Sequence, residues 1–210
     1  QNADAKAFSA RCILAAAMSD PLQPPSSEKI DQAIEFAEAA IATDPAHLEG
    51  RLQLAIAYSL KARPMSAREA LRSGLGSEAR DLAESVLQDD PKNHYANGFM
   101  AVWHIEVVRR GGRLGASFMG ASIRKARRHY ETAIAAEPDN AATHWHYAMA
   151  LAALNPKKYR SEFETALLQA LSSSPDTMLE QVMQDRAQIL YDLMQSHEKR
   201  EIVAAAERML

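Results

Sequence analysis

Apolar and polar positions alternate along this chain with a helical period, and the same period returns several times. In three stretches a small residue is followed four positions later by a second inner residue. Three and four positions after that come two more. These sets are Ala33, Ala37, Ala40 and Ile41; Ala79, Ala83, Val86 and Leu87; and Ala126, Tyr130, Ala133 and Ile134. Spacing of i, i+4, i+7 and i+8 marks one face of an α-helix. Each stretch runs into an acidic residue and then a proline: Pro45, Pro91 and Pro138. A fourth, weaker copy opens at Phe163 and keeps Ala170, Leu171 and Pro175. After the first three prolines comes a second helical pattern, with a large residue beside a small one. It holds Leu54, Ala55 and Tyr58; then Met100, Ala101 and His104; then Tyr147, Ala148 and Leu151. A large–small pairing lets two helices cross closely. The pattern predicts helices at about 3–18, 27–43, 47–62, 77–89, 93–109, 121–136, 141–153, 157–173, 177–195 and 197–209. A short extra helix is expected in "SAREALRS", ended by Gly74. Ser26 or Ser27 and Ser122 or Ser117 are candidate N-caps. A rigid proline-rich loop is expected in "SDPLQPPSSEK", and no stretch reads as a strand.

The small-x3-large-x2-Ala-(Leu/Ile)-x3-Pro pattern, with the large–small pattern in its partner helix, resembles the tetratricopeptide repeat family. The resemblance covers roughly residues 27–175. The family period is about 34 residues, whereas the four prolines lie 46, 47 and 37 residues apart. The excess falls in two insertions, "RPMSAREALRSGLGSE" and "RRGGRLGASFMGAS". The resemblance implies an all-α, tetratricopeptide-like superhelix of about five helix pairs in a single domain over 1–210. In it a degenerate first pair (1–44) precedes repeats at about 45–90, 91–137 and 138–175, and helices within 176–210 cap the stack. It also implies a non-catalytic scaffold or adaptor that holds a protein or peptide in its concave groove. Read by family register, that wall presents Leu52, Ile56, Tyr95, Val102, Trp145 and Met149; the alternative for Trp145 and Met149 is packing under an insertion or a neighbouring helix. One family subtype clamps a C-terminal carboxylate with Lys, Arg and Asn. No such residue stands at Leu52, Ile56, Gly98, Val102, Trp145 or Met149, so that mode is not expected. "WHIEVVRRGG" is also similar to stretches in uncharacterised exported bacterial repeat proteins, which implies a periplasmic or otherwise exported location, with the cytoplasm as the alternative. The opening "QNADAKAF", without Met, fits a processed end or a trimmed one.

Composition changes this picture in one place. The 210 residues are 47% hydrophobic and 24% charged, which suits a globular chain rather than a disordered one. Cys12 is the only cysteine and cannot form an internal disulfide. No apolar run approaches the length of a transmembrane helix. The formal net charge is −3, yet residues 107–130 contain Arg109, Arg110, Arg113, Arg124, Lys125, Arg127 and Arg128 with no Asp or Glu. Net charge and few interleaved aromatics argue against nucleic acid. The stretch is then a solvated face pairing with nearby acids, or a patch for a polyanion, an anionic lipid or an acidic protein. Gly111 and Gly112 are expected to end the preceding helix as left-handed caps, with Arg109 and Arg110 complementing its dipole. Leu114, Phe118 and Met119 are expected to fold back and narrow the groove; the alternative is a small exposed contact surface.

The remaining chemistry points away from catalysis. His144 and His146 lie two apart and face different sides of a helix, unlike a metal-binding pair. "HIE" at 104–106 lacks the PCxxC that a zinc deaminase needs. No nucleophile elbow or Walker loop occurs, and the glycines of 111–120 follow a helix rather than a strand. No metal and no cofactor is expected. A rival reading is an auxiliary solute-binding component, with a small apolar ligand against Trp145, Met149 and Phe118 under a closed insertion.

Overall fold

The computed structural model describes residues 2–19, 25–196 and 199–209. Among them are eleven helices and no strand, so the chain is all-α. Residues 20–24 of the expected proline-rich loop lie outside the described residues. The sequence reading expects one domain; the chain divides into two compact units, 1–96 and 97–210.

The first unit holds α1 (Ala3–Ser19), α2 (Ser27–Thr43), α3 (Leu48–Ala62), α4 (Ala67–Ser73) and α5 (Leu75–Asp89). Ser26 caps α2 by accepting from Lys29 N. The expected short helix forms as α4 and is ended by Gly74 at φ 77°; it also carries a capping box, with Ser66 and Glu69 each bonding the other's backbone. A core of Ala10, Leu14, Ile30, Ala33, Ile34, Ala37, Leu54, Ala57 and Leu60 joins α1, α2 and α3. Four of these nine are alanine, which lets helix backbones come close.

The second unit holds most of α6 (His94–Met119), then α7 (Ile123–Ala136), α8 (Ala141–Leu154), α9 (Arg160–Ser172), α10 (Met178–Ser196) and α11 (Lys199–Met209). From Thr143 to Ala153 every residue of α8 except His146 is buried. A helix apolar on all sides belongs in the interior, and α9, α10 and α11 all pack on α8.

One turn recurs three times. Asp44, Asp90 and Glu137 end α2, α5 and α7 in extended or near-extended backbone, each donating its N–H to the carbonyl four residues back, on Ala40, Val86 and Ala133. Proline follows, since it cannot continue a helix. Three positions after the acid, His47, Asn93 and Asn140 accept from the N–H of Gly50, Ala96 and Thr143, capping the next helix. The inner residues Ala33, Ala37 and Ala40, Ala79, Ala83 and Val86, and Ala126 and Ala133 are buried as their period requires.

The glycine-rich insertion departs from expectation. Helix α6 does not end near residue 109, and 111–120 is not a loop. The helix breaks only at Gly112 (φ 58°, ψ −160°) and resumes to Met119. That backbone region is essentially open to glycine alone. The resumed piece closes on Gly120 (φ 68°), with Gly120 N–H bonding Ser117 O and Ala121 N–H bonding Ala116 O. This bond pair is a Schellman motif. Leu114 and Phe118 do not fold back: they are 88% and 78% exposed. Met119 is half-buried.

Candidate functional site: a tyrosine cleft between α7, α8 and α9

Tyr130 occupies the α7 position where α2 and α5 carry Ala37 and Ala83. Its ring has no room against a helix backbone. Instead it stacks on Tyr147 of α8, with centroids 3.8 Å apart and planes within 5°. Beside this pair lies an open cleft of about 530 Å³, lined by Arg127, Tyr130 and Glu131 of α7, Tyr147 of α8, and residues from Lys158 to Ala166 around α9.

Hydrogen bonds fix both rings. Tyr130 OH donates to His144 Nδ1 at 2.7 Å, and His144 Nε2 donates to Pro138 O at 2.9 Å. A carbonyl can only accept, so the imidazole proton sits on Nε2 and Nδ1 accepts. The Tyr147 hydroxyl donates to Glu162 Oε1. Arg127 reaches the same carboxylate from the other side, with Nε to Oε1 at 3.0 Å and Nη2 to Oε2 at 2.9 Å. This fork geometry is the strongest form of carboxylate pairing. At the outer edge the Lys158 ammonium lies 5.0 Å from the Tyr159 ring centre.

The electrostatics follow from this wiring. Burial raises the Tyr130 hydroxyl pKa, with the Glu162 charge adding to it. Burial does the same for Tyr147, helped by its bond to Glu162. Burial works against the Glu162 carboxylate, but the bonds from Arg127 and Tyr147 outweigh it and leave its pKa lowered. Burial lowers His144 against the opposing pull of Pro138 O and Asp139. At neutral pH both tyrosines are protonated, Glu162 is ionised and His144 is neutral. Each of these groups is already engaged by a hydrogen-bond partner within the protein.

The residues read from the sequence as a groove wall divide by burial. Leu52, Trp145 and Met149 are buried, so they belong to the cores of their own units and present no surface. Ile56 and Val102 are half-buried, and only Tyr95 is exposed. The apolar pocket expected of Trp145, Met149 and Phe118 does not form, since two of these are core and the third faces solvent.

The basic stretch separates into three groups. Arg109 pairs with Glu106 at 2.8 Å and Glu207 at 2.7 Å, while Arg127 belongs to the cleft. Arg110 is half-buried, and Lys125 Nζ donates to Gly120 O at 2.8 Å. Arg113, Arg124 and Arg128 are exposed, and no carboxylate among the described residues pairs with them. No three His, Cys, Asp or Glu side chains among the described residues gather as a metal-ligand set, and no described helix is long and apolar enough to cross a membrane. No protein-family model, curated protein or solved structure matches the chain.

The cleft residues Lys158, Tyr159 and Glu162 were not singled out from the sequence, and Tyr147 was read only as the large residue of a helix-crossing pattern. Two signals were visible: Arg127 in the basic stretch, and Tyr130, a ring at a position that is small in the two other close copies.

Proposed function

We propose that the chain is a tetratricopeptide-like array of helix pairs that binds a peptide segment of another protein without catalysis. The recurrent turn at 44–47, 90–93 and 137–140 supports the repeat reading, because one cap, proline and N-cap geometry arises from three separate stretches. The tyrosine cleft carries the binding reading. Its volume is in the range of ligand sites, and rigid aromatic rings are favoured anchors for a partner's apolar side chain. With both hydroxyls committed inward, the tyrosines offer ring surface to a ligand rather than donors. The rim carries Lys158 and Glu131 for the polar flank of a peptide. An open cleft with charged walls favours a peptide over a small apolar solute. The non-catalytic reading rests on the committed state of Tyr147, Glu162 and His144.

Panning a random peptide library on the purified chain tests this. Ser161 and Thr165 line the cleft from exposed positions of α9, so Ser161→Arg with Thr165→Arg obstructs it without touching the core. Selected peptides are expected to lose about tenfold or more in affinity for this double variant, with its melting temperature unchanged. Equal binding to both proteins, or no selectable peptide, overturns the reading.

A further inference from the structure

We propose that the short helix 113–119 and the start of α7 together form a contact surface for an anionic lipid bilayer. The apolar half is the pair Leu114 and Phe118, 88% and 78% exposed. Residues four apart share a helix face, and buried Ala116, midway between them, lies on the opposite side. This exposure is built in: Gly112 sets the break before the helix, and the Schellman bonds at Gly120 close it.

The cationic half is Arg113, Arg124 and Arg128, all exposed and paired with no described carboxylate. Between 107 and 130 the chain supplies no Asp or Glu at all. Helix α7 adds a second anomaly. Its first turn carries Arg124 and Lys125 and no acid, although the N-terminal end of a helix dipole is positive and favours anions. Lys125 is partly compensated by Gly120 O; Arg124 is not. Local charges that oppose the fold's own field are expected where function has overridden stability.

Exposed apolar side chains and unpaired cations within one short stretch, 113–128, are the composition of an interfacial anchor, with the apolar groups entering the headgroup boundary and the cations meeting lipid phosphates. A stable protein interface buries about 800 Å² on each partner, far more than two side chains on a helix of this length supply. A bilayer needs no shape complementarity. A soluble polyanion would answer the cations but leave Leu114 and Phe118 without a role.

Sedimentation with vesicles tests the proposal. The chain is expected to bind vesicles of equal parts phosphatidylcholine and phosphatidylglycerol, to release with salt, and to ignore pure phosphatidylcholine. Leu114→Ser with Phe118→Ser, and separately Arg124→Gln with Arg128→Gln, are each expected to weaken binding about tenfold or more, with unchanged melting temperatures. No binding to the mixed vesicles overturns the proposal, as does equal binding to pure phosphatidylcholine. So does either double variant binding like the parent. Retention on heparin without vesicle binding identifies a soluble polyanion and likewise overturns it.

Discussion

Helices α2 and α7 are written in nearly the same code, yet they meet their successors differently. Both carry a buried alanine, Ala33 or Ala126, and another seven positions on at Ala40 or Ala133, and end at an acid followed by proline. Between these points one has Ala37 and the other Tyr130. Helix α2 packs closely along α3, whereas α7 touches α8 over a much shorter stretch. Small side chains let two backbones approach; an aromatic ring at the same place holds them apart and finds a second ring to stack on. The two pairs thus differ at this position and in how closely they pack, while the turn that follows is the same in both.

The largest effect is expected from copying the exchange into the closed pair. Ala37 is fully buried, so Ala37→Tyr should cost about 3 kcal/mol, read as a shifted midpoint in chemical denaturation. A variant as stable as the parent would show that the seam can open at little cost, and that Tyr130 does not explain the cleft. A smaller change sharpens the other side. Tyr130→Phe keeps the stack on Tyr147 but leaves His144 Nδ1 without its donor, at about 1 kcal/mol. A neutral result would mean that the hydroxyl adds nothing to the position of the ring.

The gentlest probe is pH. Burial lowers the pKa of His144, and burial with the charges of Arg128 and Lys125 lowers that of His129. A group whose folded pKa is depressed binds fewer protons folded than unfolded. Its contribution is complete above the unfolded value of about 6.5 and is lost as pH falls below that toward the folded pKa. The denaturation midpoint should therefore decline from pH 7.5 to 5.5. His144→Gln with His129→Gln should flatten that decline; an unchanged slope would place the proton uptake elsewhere.

Much of the fold could be read from local signals. Proline after an acid marked three helix ends, and Ser26, Ser122 and Gly74 stand where capping chemistry places them. The segment 113–119 escaped because its glycines suggest a loop. Its helix depends on Gly112 taking a conformation closed to other residues and on Ala116 being buried, and neither is a local property. The groove register failed for a different reason. Helix α8 is apolar on nearly every side, so its periodicity cannot say which face meets solvent, and Trp145 and Met149 were assigned to a wall instead of the core. The cleft escaped because its central ion pair joins Arg127 to Glu162, 35 residues away, and such a pair leaves no trace in spacing.

Arg51 gives the first unit a mechanical character. From α3 its guanidinium donates to Ala46 O in the preceding turn at 2.8 Å, to Ser85 O at 3.1 Å and to Asp89 at 2.5 Å on α5. Helical arrays often melt piecemeal, because each element answers only to its neighbours. Here one largely buried side chain ties a turn to the next helix but one, so the turn cannot open without releasing α5. Opening of the turn at Ala46 and release of the end of α5 at Ser85 and Asp89 are therefore coupled through Arg51.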